Sequence, residues 1–271
     1  MRIELLGDGY TNSTFRVALS PPVVVCIYRD ARSLETERAA LAAVRDVVPV
    51  PAVLHFGARF AILQYVDAVP FRQFKRTHDA ATVARAARAV GRTLAHLAAI
   101  PADDGRSDAD DLHRRFEDAL RSPRLAERLD SDVIRRARSL VRASDLSALD
   151  RARCRIHGDF NNRNVLIDRD GDVAAIVDWE CSRIGSPLFD IASFLQYEDP
   201  DRPIREPHVS EGYLEAGGVL PDGWRRTTRI INLVHQCHFL AEPDVPEHIV
   251  AEVRDLVVRG VAVSPSLFPV T

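Results

Sequence analysis

The strongest constraint on this fold lies at residues 165–177. Two short apolar runs, at 165–167 and 173–177, flank the sequence DRDGD at 168–172. An Asp-Gly pair between two such runs is the strongest short signal for a β-hairpin, because glycine accepts the positive φ of a tight turn. The sequence HGDFNNRN (157–164) leads into this hairpin, and Asp178 follows it directly. A buried hairpin there brings its two ends together. The loop before it presents Asp159 and Asn164, and the return strand places Asp178 beside them.

The rest of the chain divides into two patterns. In the first 70 residues, 4–6, 13–18 and 22–28 read as short strands, the run VVVCIY being rich in β-branched residues. The loop GDGYTNS joins the first two. Leu34, Ala40, Leu41 and Val44 fall at helical spacing over 34–44, PVPAV at 49–53 ends that helix, and 61–66 reads as a further strand. These elements make a small antiparallel sheet carrying one helix. After about residue 68 the pattern turns helical. Val83, Ala87, Val90, Leu94 and Leu97 form one apolar stripe, and Leu112, Phe116 and Leu120 form another. Ser131 is expected to cap a helix running to about Arg142. Two more helices are expected over 224–240 and 246–258, with Pro246 in a first turn and Gly260 as a C-cap. The acidic stretch 101–111 reads as an exposed loop and helix start. The expected division is residues 1–67 and 68–271, in an α+β fold.

Composition excludes several classes of function. The 271 residues are 46% apolar and 28% charged, ordinary for a globular protein with a real core. A net charge of −3 leaves no basic footprint for nucleic acid. No apolar run approaches the ~20 residues that span a bilayer. The opening MRIELLGDGY lacks a signal-peptide pattern, so the expectation is a cytoplasmic protein, monomer or dimer, without a membrane or nucleic-acid partner. Cys26, Cys154, Cys181 and Cys237 form no CxxC pair and read as reduced thiols. His235, Cys237 and His238 do not converge on one point of a helix, so helix packing is preferred to zinc there. Lys75 is the only lysine. Any role usually given to lysine must fall to another residue.

The hairpin ends suggest chemistry. Asn164 and Asp178 offer oxygen donors that suit Mg²⁺, a hard cation that uses few protein ligands alongside phosphates. Asp159 is then free to orient a hydroxyl and accept its proton.

HGDFNNRN followed by IVDWE resembles the HGDxxxxN and (I/V)D(W/F/L) motifs of the aminoglycoside phosphotransferase family, relatives of protein kinases. GSPLFDIASF (185–194) and PVPAVLHF (49–56) resemble further segments of that family. The likeness covers most of residues 5–200. It implies a bilobal protein-kinase-like fold with a small β-sheet lobe and a mostly helical lobe. By the same resemblance, Asp159 is the catalytic aspartate and Asn164 and Asp178 are the magnesium ligands. GDGYTNSTF is the nucleotide-covering loop, with Gly9 and Ser13 near the phosphates. Gln64, Tyr65 and Val66 form the hinge that binds the base through its backbone. Glu37 is the partner of a phosphate-binding lysine.

That lysine is missing. Cys26 stands in its place in the third strand. A thiol cannot hold phosphates as a cation does. Arg29, three residues on, and Arg16, on the neighbouring strand, are candidate substitutes; the other openings are Mg²⁺ with backbone amides alone, or impaired turnover. The resemblance implies transfer of the γ-phosphoryl group of ATP or GTP to a small-molecule hydroxyl, first of all on a cationic antibiotic such as an aminoglycoside. Asp190 and Glu198 are candidate carboxylates for such an acceptor. Metabolic kinases acting on choline, homoserine or sugar-type acceptors share the fold, and a nucleotide-binding protein with little activity is the reading that Cys26 motivates.

Overall fold

A computed structural model of the chain describes residues 2–8, 12–196, 198 and 203–262. Along the chain the strands are β1 (Ile3–Asp8), β2 (Asn12–Val17), β3 (Val23–Tyr28), β4 (Val53–Phe56), β5 (Phe60–Gln64), β6 (Val69–Pro70), β7 (Cys154–Ile156), β8 (Val165–Ile167), β9 (Val173–Ile176) and β10 (Arg183–Gly185). The helices are α1 (Ala31–Val44), α2 (Phe71–Thr77), α3 (Ala80–Ala98), α4 (Asp108–Arg121), α5 (Pro123–Arg128), α6 (Ser131–Arg142), α7 (Leu188–Leu195), α8 (His208–Glu215), α9 (Trp224–Ala241) and α10 (Glu247–Ala262). No helix among the described residues is long and apolar enough to cross a membrane. The chain contacts form two compact units. One comprises Met1–Ile100, Arg155–Arg183 and Glu198–Gly218; the other comprises Pro101–Cys154, Ile184–Tyr197 and Val219–Thr271.

The first unit holds a five-stranded antiparallel sheet in the order β1-β2-β3-β5-β4. Because side chains alternate along a strand, the register assigns each residue to a face. Thr14 opposes Cys26, and Cys26 opposes Ala61. This inner face packs on α1: Tyr28, Leu34, Ala61 and Leu63 form a buried core, with Val24, Cys26 and Phe56 against it. Asp30 caps α1, its carboxylate accepting from the Arg32 N–H at 3.0 Å. On the outer face Leu5 opposes Phe15, Phe15 opposes Val25, and Ile27 opposes Phe60.

The expected hairpin is β8–β9, Val165 opposing Ile176. Asp168 closes its turn, accepting at 2.9 Å from the N–H groups of both Asp170 and Asp172, while Gly171 takes φ +90°. Val165, Ile167, Ala175 and Ile176 are fully buried. β6 adds a third strand beside β8 that the sequence reading left out. It also left out α8. That helix lies so close to α3 that a Cβ on Gly91 would sit 2.1 Å from the Val209 carbonyl oxygen, and one on Gly212 2.0 Å from that of Arg88.

The second unit is mostly helical. Ser107 caps α4, which buries Leu112, Phe116 and Ala119 rather than Leu120. Ser131 is the first residue of α6 rather than its cap; Asp130 takes the cap position, and the helix runs to Arg142 as expected. Gly260 lies within α10 and does not end it. The acidic stretch differs most from expectation. Asp108 is 1% exposed, accepts from the Ser186 N–H at 2.6 Å, and lies 3.4 Å from Arg153. Asp104 also pairs with Arg153, at 2.6 Å. The run is therefore partly a clamp on a buried arginine, because a charge taken out of water needs an opposite charge beside it.

Candidate active site

His157 organises the loop before the hairpin. It is fully buried. Its Nδ1 accepts from the Asp159 N–H at 3.2 Å, and its Nε2 donates to the Val177 carbonyl at 3.0 Å. Burial pushes its pKa down to about 4, which fits this neutral tautomer. One ring thus ties the residue before Asp178 to Asp159. Phe160 and Trp179 enclose it at ring distances of 5.9 and 4.6 Å. Gly158 completes the turn: φ is +82°, and a Cβ would lie 2.2 Å from the Cys181 carbonyl oxygen.

Asp159 is held on both carboxylate oxygens. Oδ1 accepts from the Asn161 amide at 2.9 Å, and Oδ2 from the Asn164 amide at 3.0 Å. Asn164 Nδ2 also donates to the Asp159 carbonyl at 2.9 Å. These bonds fix the amide with its nitrogen toward Asp159, and its Oδ1 takes no part in them. Burial raises the Asp159 pKa.

The hairpin returns the chain to Asn164, whose carbonyl accepts from the Val177 N–H at 3.0 Å. The next residue, Asp178, adopts φ 70° and ψ 61°, the one non-glycine residue with positive φ among those described. Such a conformation costs roughly 1 kcal/mol and persists where the surroundings over-determine it, often at functional sites. Burial, then the carboxylates of Glu180, Glu37 and Asp159, push its pKa up to about 7. A raised carboxyl among other carboxylates marks a place that favours a cation.

Residues of the sheet face this cluster. Cys26 stands on the inner face, and Thr14 Oγ1 donates to its sulfur at 3.9 Å. Burial and then Glu37 push the thiol up to about 12, so it stays protonated. Glu37 is 3% exposed. It accepts from the Tyr28 hydroxyl and from the Trp179 backbone N–H, so its partner on β3 is the phenol two residues after Cys26. The Asn12 amide donates to Glu180 at 2.8 Å, while Asn12 Oδ1 is buried without a partner. Asn12, Thr14, Tyr28 and Asn161 do not stand out in the sequence, and Glu180 reads there as exposed or structural. Only the pleat of β2 and the register of β3 show that they share the Cys26 face or the loop beneath it.

The remaining expected residues divide. Ser13 opposes Ile27 on the outer face, whereas Asn12 and Thr14 point inward. Gly9 lies outside the described residues. Arg29 is exposed beyond β3, its carbonyl bound by Arg59. Arg16 is on the inner face, 4.4 Å above the Tyr65 ring and 3.6 Å from Glu4, and its buried Nε has no hydrogen-bond partner. Gln64 ends β5, its N–H donating to the Ala52 carbonyl at 2.8 Å, and the Val66 carbonyl accepts from Ala68 at 3.0 Å. Asp190 is buried in α7 of the second unit. Glu198 serves its own segment, accepting from the N–H of Ile204 and, at 2.5 Å, from the N–H and Nε of Arg205.

Among the described residues, no group of three or more His, Cys, Asp or Glu is arranged to hold a metal ion. Asn164 and Asp178 together supply an all-oxygen pair. Such a pair fits Mg²⁺, which takes its other ligands from water and phosphate.

A strained aspartate after a hairpin, an aspartate fixed by two amides, and an antiparallel sheet above them define a kinase-like phosphotransferase. The chain belongs to the phosphotransferase enzyme family (APH), whose model matches residues 2–228, and is an aminoglycoside-phosphotransferase-like enzyme. No curated protein sequence matches it. Among solved structures it is similar to the GDP complex of wild-type aminoglycoside 2'-phosphotransferase-IIIa, at 18% identity and TM-score 0.75, covering 97% of this chain and 93% of that one. It is similar to the macrolide 2'-phosphotransferase apoenzyme of Brachybacterium faecium, at 15% identity and TM-score 0.67, covering 96% and 90%. A choline/ethanolamine kinase family protein of Mesorhizobium loti shares 21% identity at TM-score 0.69, covering 98% and 90%.

Proposed function

We propose that this enzyme moves the γ-phosphoryl group of ATP or GTP onto a hydroxyl of a small molecule in the cytoplasm, with an aminoglycoside or related antibiotic first among acceptors. The observation that carries this reading is the double amide clamp on Asp159 next to the Asn164–Asp178 oxygen pair. Asp159 orients the acceptor hydroxyl and takes its proton, and burial, by raising its pKa, makes it a stronger base than a solvated aspartate. Asn164 Oδ1 and the Asp178 carboxylate hold Mg²⁺, which when bound neutralises phosphate charge. His157 keeps the loop and Asp178 in register without taking up a proton near neutral pH. Residues 1–67 cover the nucleotide in this reading, Gln64–Val66 meeting its base, and residues 68–271 carry the acceptor.

The antibiotic reading draws on the named substrates of the two antibiotic phosphotransferases. The choline/ethanolamine kinase relative supports a metabolic acceptor as the second reading. Titrating ATP and GTP into the protein with and without Mg²⁺, against Asp178→Ala, tests the nucleotide site. Screening aminoglycosides, macrolides and choline for acceptor-dependent release of nucleoside diphosphate tests the acceptor. Mg²⁺-independent binding that Asp178→Ala leaves unchanged would remove the metal assignment. Failure of every acceptor, with binding intact, would favour the low-activity reading that Cys26 motivates.

A further inference from the structure

The outer face of the five-stranded sheet is almost wholly apolar. Ile3 and Leu5 of β1, Phe15 of β2, Ile27 of β3, and Phe60 and Ile62 of β5 line it, joined across the strands by direct pairing. Val25 stands between Phe15 and Ile62, Val17 and Val23 extend the next row, and the polar residues Ser13, His55 and Gln64 sit at its margin. The centre of the face carries no Asp, Glu, Lys or Arg; the one acidic residue in register with it is Asp8, which pairs with Ser13 at its margin. Exposure stays high: 56% for Ile3, 52% for Leu5, 47% for Ile27 and 37% for Phe60. A half-buried antiparallel sheet normally turns polar residues to water on its free face. This sheet does the reverse, while α1 packs against its other face.

We infer that this face is a contact between two copies of the chain, packed sheet on sheet about a two-fold axis. Two observations select a second copy. The first is area. At roughly 200 Å² for a fully exposed large side chain, the face offers about 500 Å² of apolar surface. Two such faces together would bury about 1,000 Å² of apolar surface, the level a specific interface has to reach. The second is charge. A face uncharged at its centre has nothing there to steer or select a charged foreign partner, while an apolar sheet face can pack against its own copy. Two such faces pack ~10 Å apart with interdigitating side chains, as in a β-sandwich. The inference is independent of the phosphotransfer reading.

The test is sedimentation of the full chain under reducing conditions, from about 1 to 100 µM, the range in which an interface of this size holds. The variants are Ile27→Lys and Leu5→Lys, each at an exposed position, with Val219→Lys as control; Val219 is 80% exposed and lies in the other unit. The expected result is a reversible dimer whose dissociation constant rises at least tenfold in both face variants and is unchanged in the control. Thermal melting verifies that each variant is folded, and either folded variant suffices. A wild-type chain that stays monomeric throughout overturns the inference. So does a dimer that ignores the face variants. A monomeric full chain beside a dimeric chain ending at Ala262 would show instead that residues 263–271 cover the face, which also overturns it.

Discussion

Two sets of residues make up the proposed phosphotransfer site, and they obey different rules. Around the hairpin, neighbouring groups hold the set: two amides and His157 hold Asp159, and His157 also binds the carbonyl of Val177, just before the left-handed Asp178. Around β3 the expected cation is absent. Cys26 remains a protonated thiol, and Glu37 has turned to Tyr28. The comparison teaches that positioning and phosphate neutralisation are separable. The hairpin residues hold their geometry without a cation on β3. In the proposed site, the metal ion that accompanies the nucleotide would supply the positive charge facing Glu37, Asp159, Asp178 and Glu180, where the other three carboxylates push the Asp178 pKa up.

The sharpest test of the hairpin set is Asp159→Ala. Loss of a positioned base removes about 10³-fold in turnover. The nucleotide dissociation constant should stay within about threefold of wild type, since in the proposed roles Asp159 meets the acceptor. Single-turnover transfer and calorimetric nucleotide binding, measured on the same sample, separate the two. Retained turnover would dissolve the distinction between the two sets, because the best-fixed residue would then be dispensable.

His157 gives the next effect, and its sign can be worked out. The unfolded histidine titrates near 6.5, the folded one at about 4. Between these values the unfolded chain binds more protons, so acid destabilises the fold, by roughly 3 kcal/mol once pH reaches 4. Asp178 acts oppositely: its folded pKa, pushed up to about 7, makes the native state bind the extra proton as pH falls. The signature is therefore the difference between wild type and His157→Gln in urea unfolding at pH 7, 6 and 5. The stability lead of the wild type should shrink steadily over that range. A constant lead would mean that His157 is not held neutral and does not tie the loop to β9 as described.

The hairpin set was legible in the sequence because its geometry is local. Asp168 and Gly171 specify the turn, the turn specifies the pairing, and the pairing places Asn164 beside Asp178. What failed to show was set by distant contacts. Asp108 reads as one more acid in a soluble run until Arg153 and Ser186, far along the chain, enclose it. The α3–α8 contact needs Gly91 and Gly212 to meet, and nothing near either glycine announces the other. On β2, a pleat of period two decides between Ser13 and its neighbours. Reading the loop as GDGYTNS gave the residue types without the face, and the register with β3 turns Ser13 outward and Asn12 and Thr14 inward.

Tyr28→Phe probes the β3 set through stability. It leaves the Glu37 carboxylate, 3% exposed, with only the Trp179 N–H. A buried acceptor that loses a hydroxyl donor costs about 2 kcal/mol. Denaturant midpoints read this directly. If Tyr28→Phe is neutral, the phenol is not the partner that replaces the missing cation, and the account of Glu37 falls with it.

Cys26→Lys restores charge where the β3 set lacks it. The new ammonium would stand on the inner face beside Glu37, Asp178 and Glu180, the groups that already act on the thiol. Cys26→Ala is the control for simply removing sulfur. If the β3 set is deficient only in charge, the lysine should tighten Mg²⁺-nucleotide binding by about tenfold, or ~1.4 kcal/mol, with alanine close to wild type. The gain should shrink most in Glu37→Gln/Cys26→Lys, which removes the carboxylate that acts most strongly at that position. Weaker binding by Cys26→Lys would mean that the phosphates are already served from elsewhere on the inner face. Arg16, on the inner face above Tyr65 with a buried Nε lacking a partner, would then be the candidate to test. Arg16→Gln would then weaken nucleotide binding in the wild type by more than Cys26→Ala does. That outcome would turn the contrast between the two sets into a relocation of charge from β3 to β2.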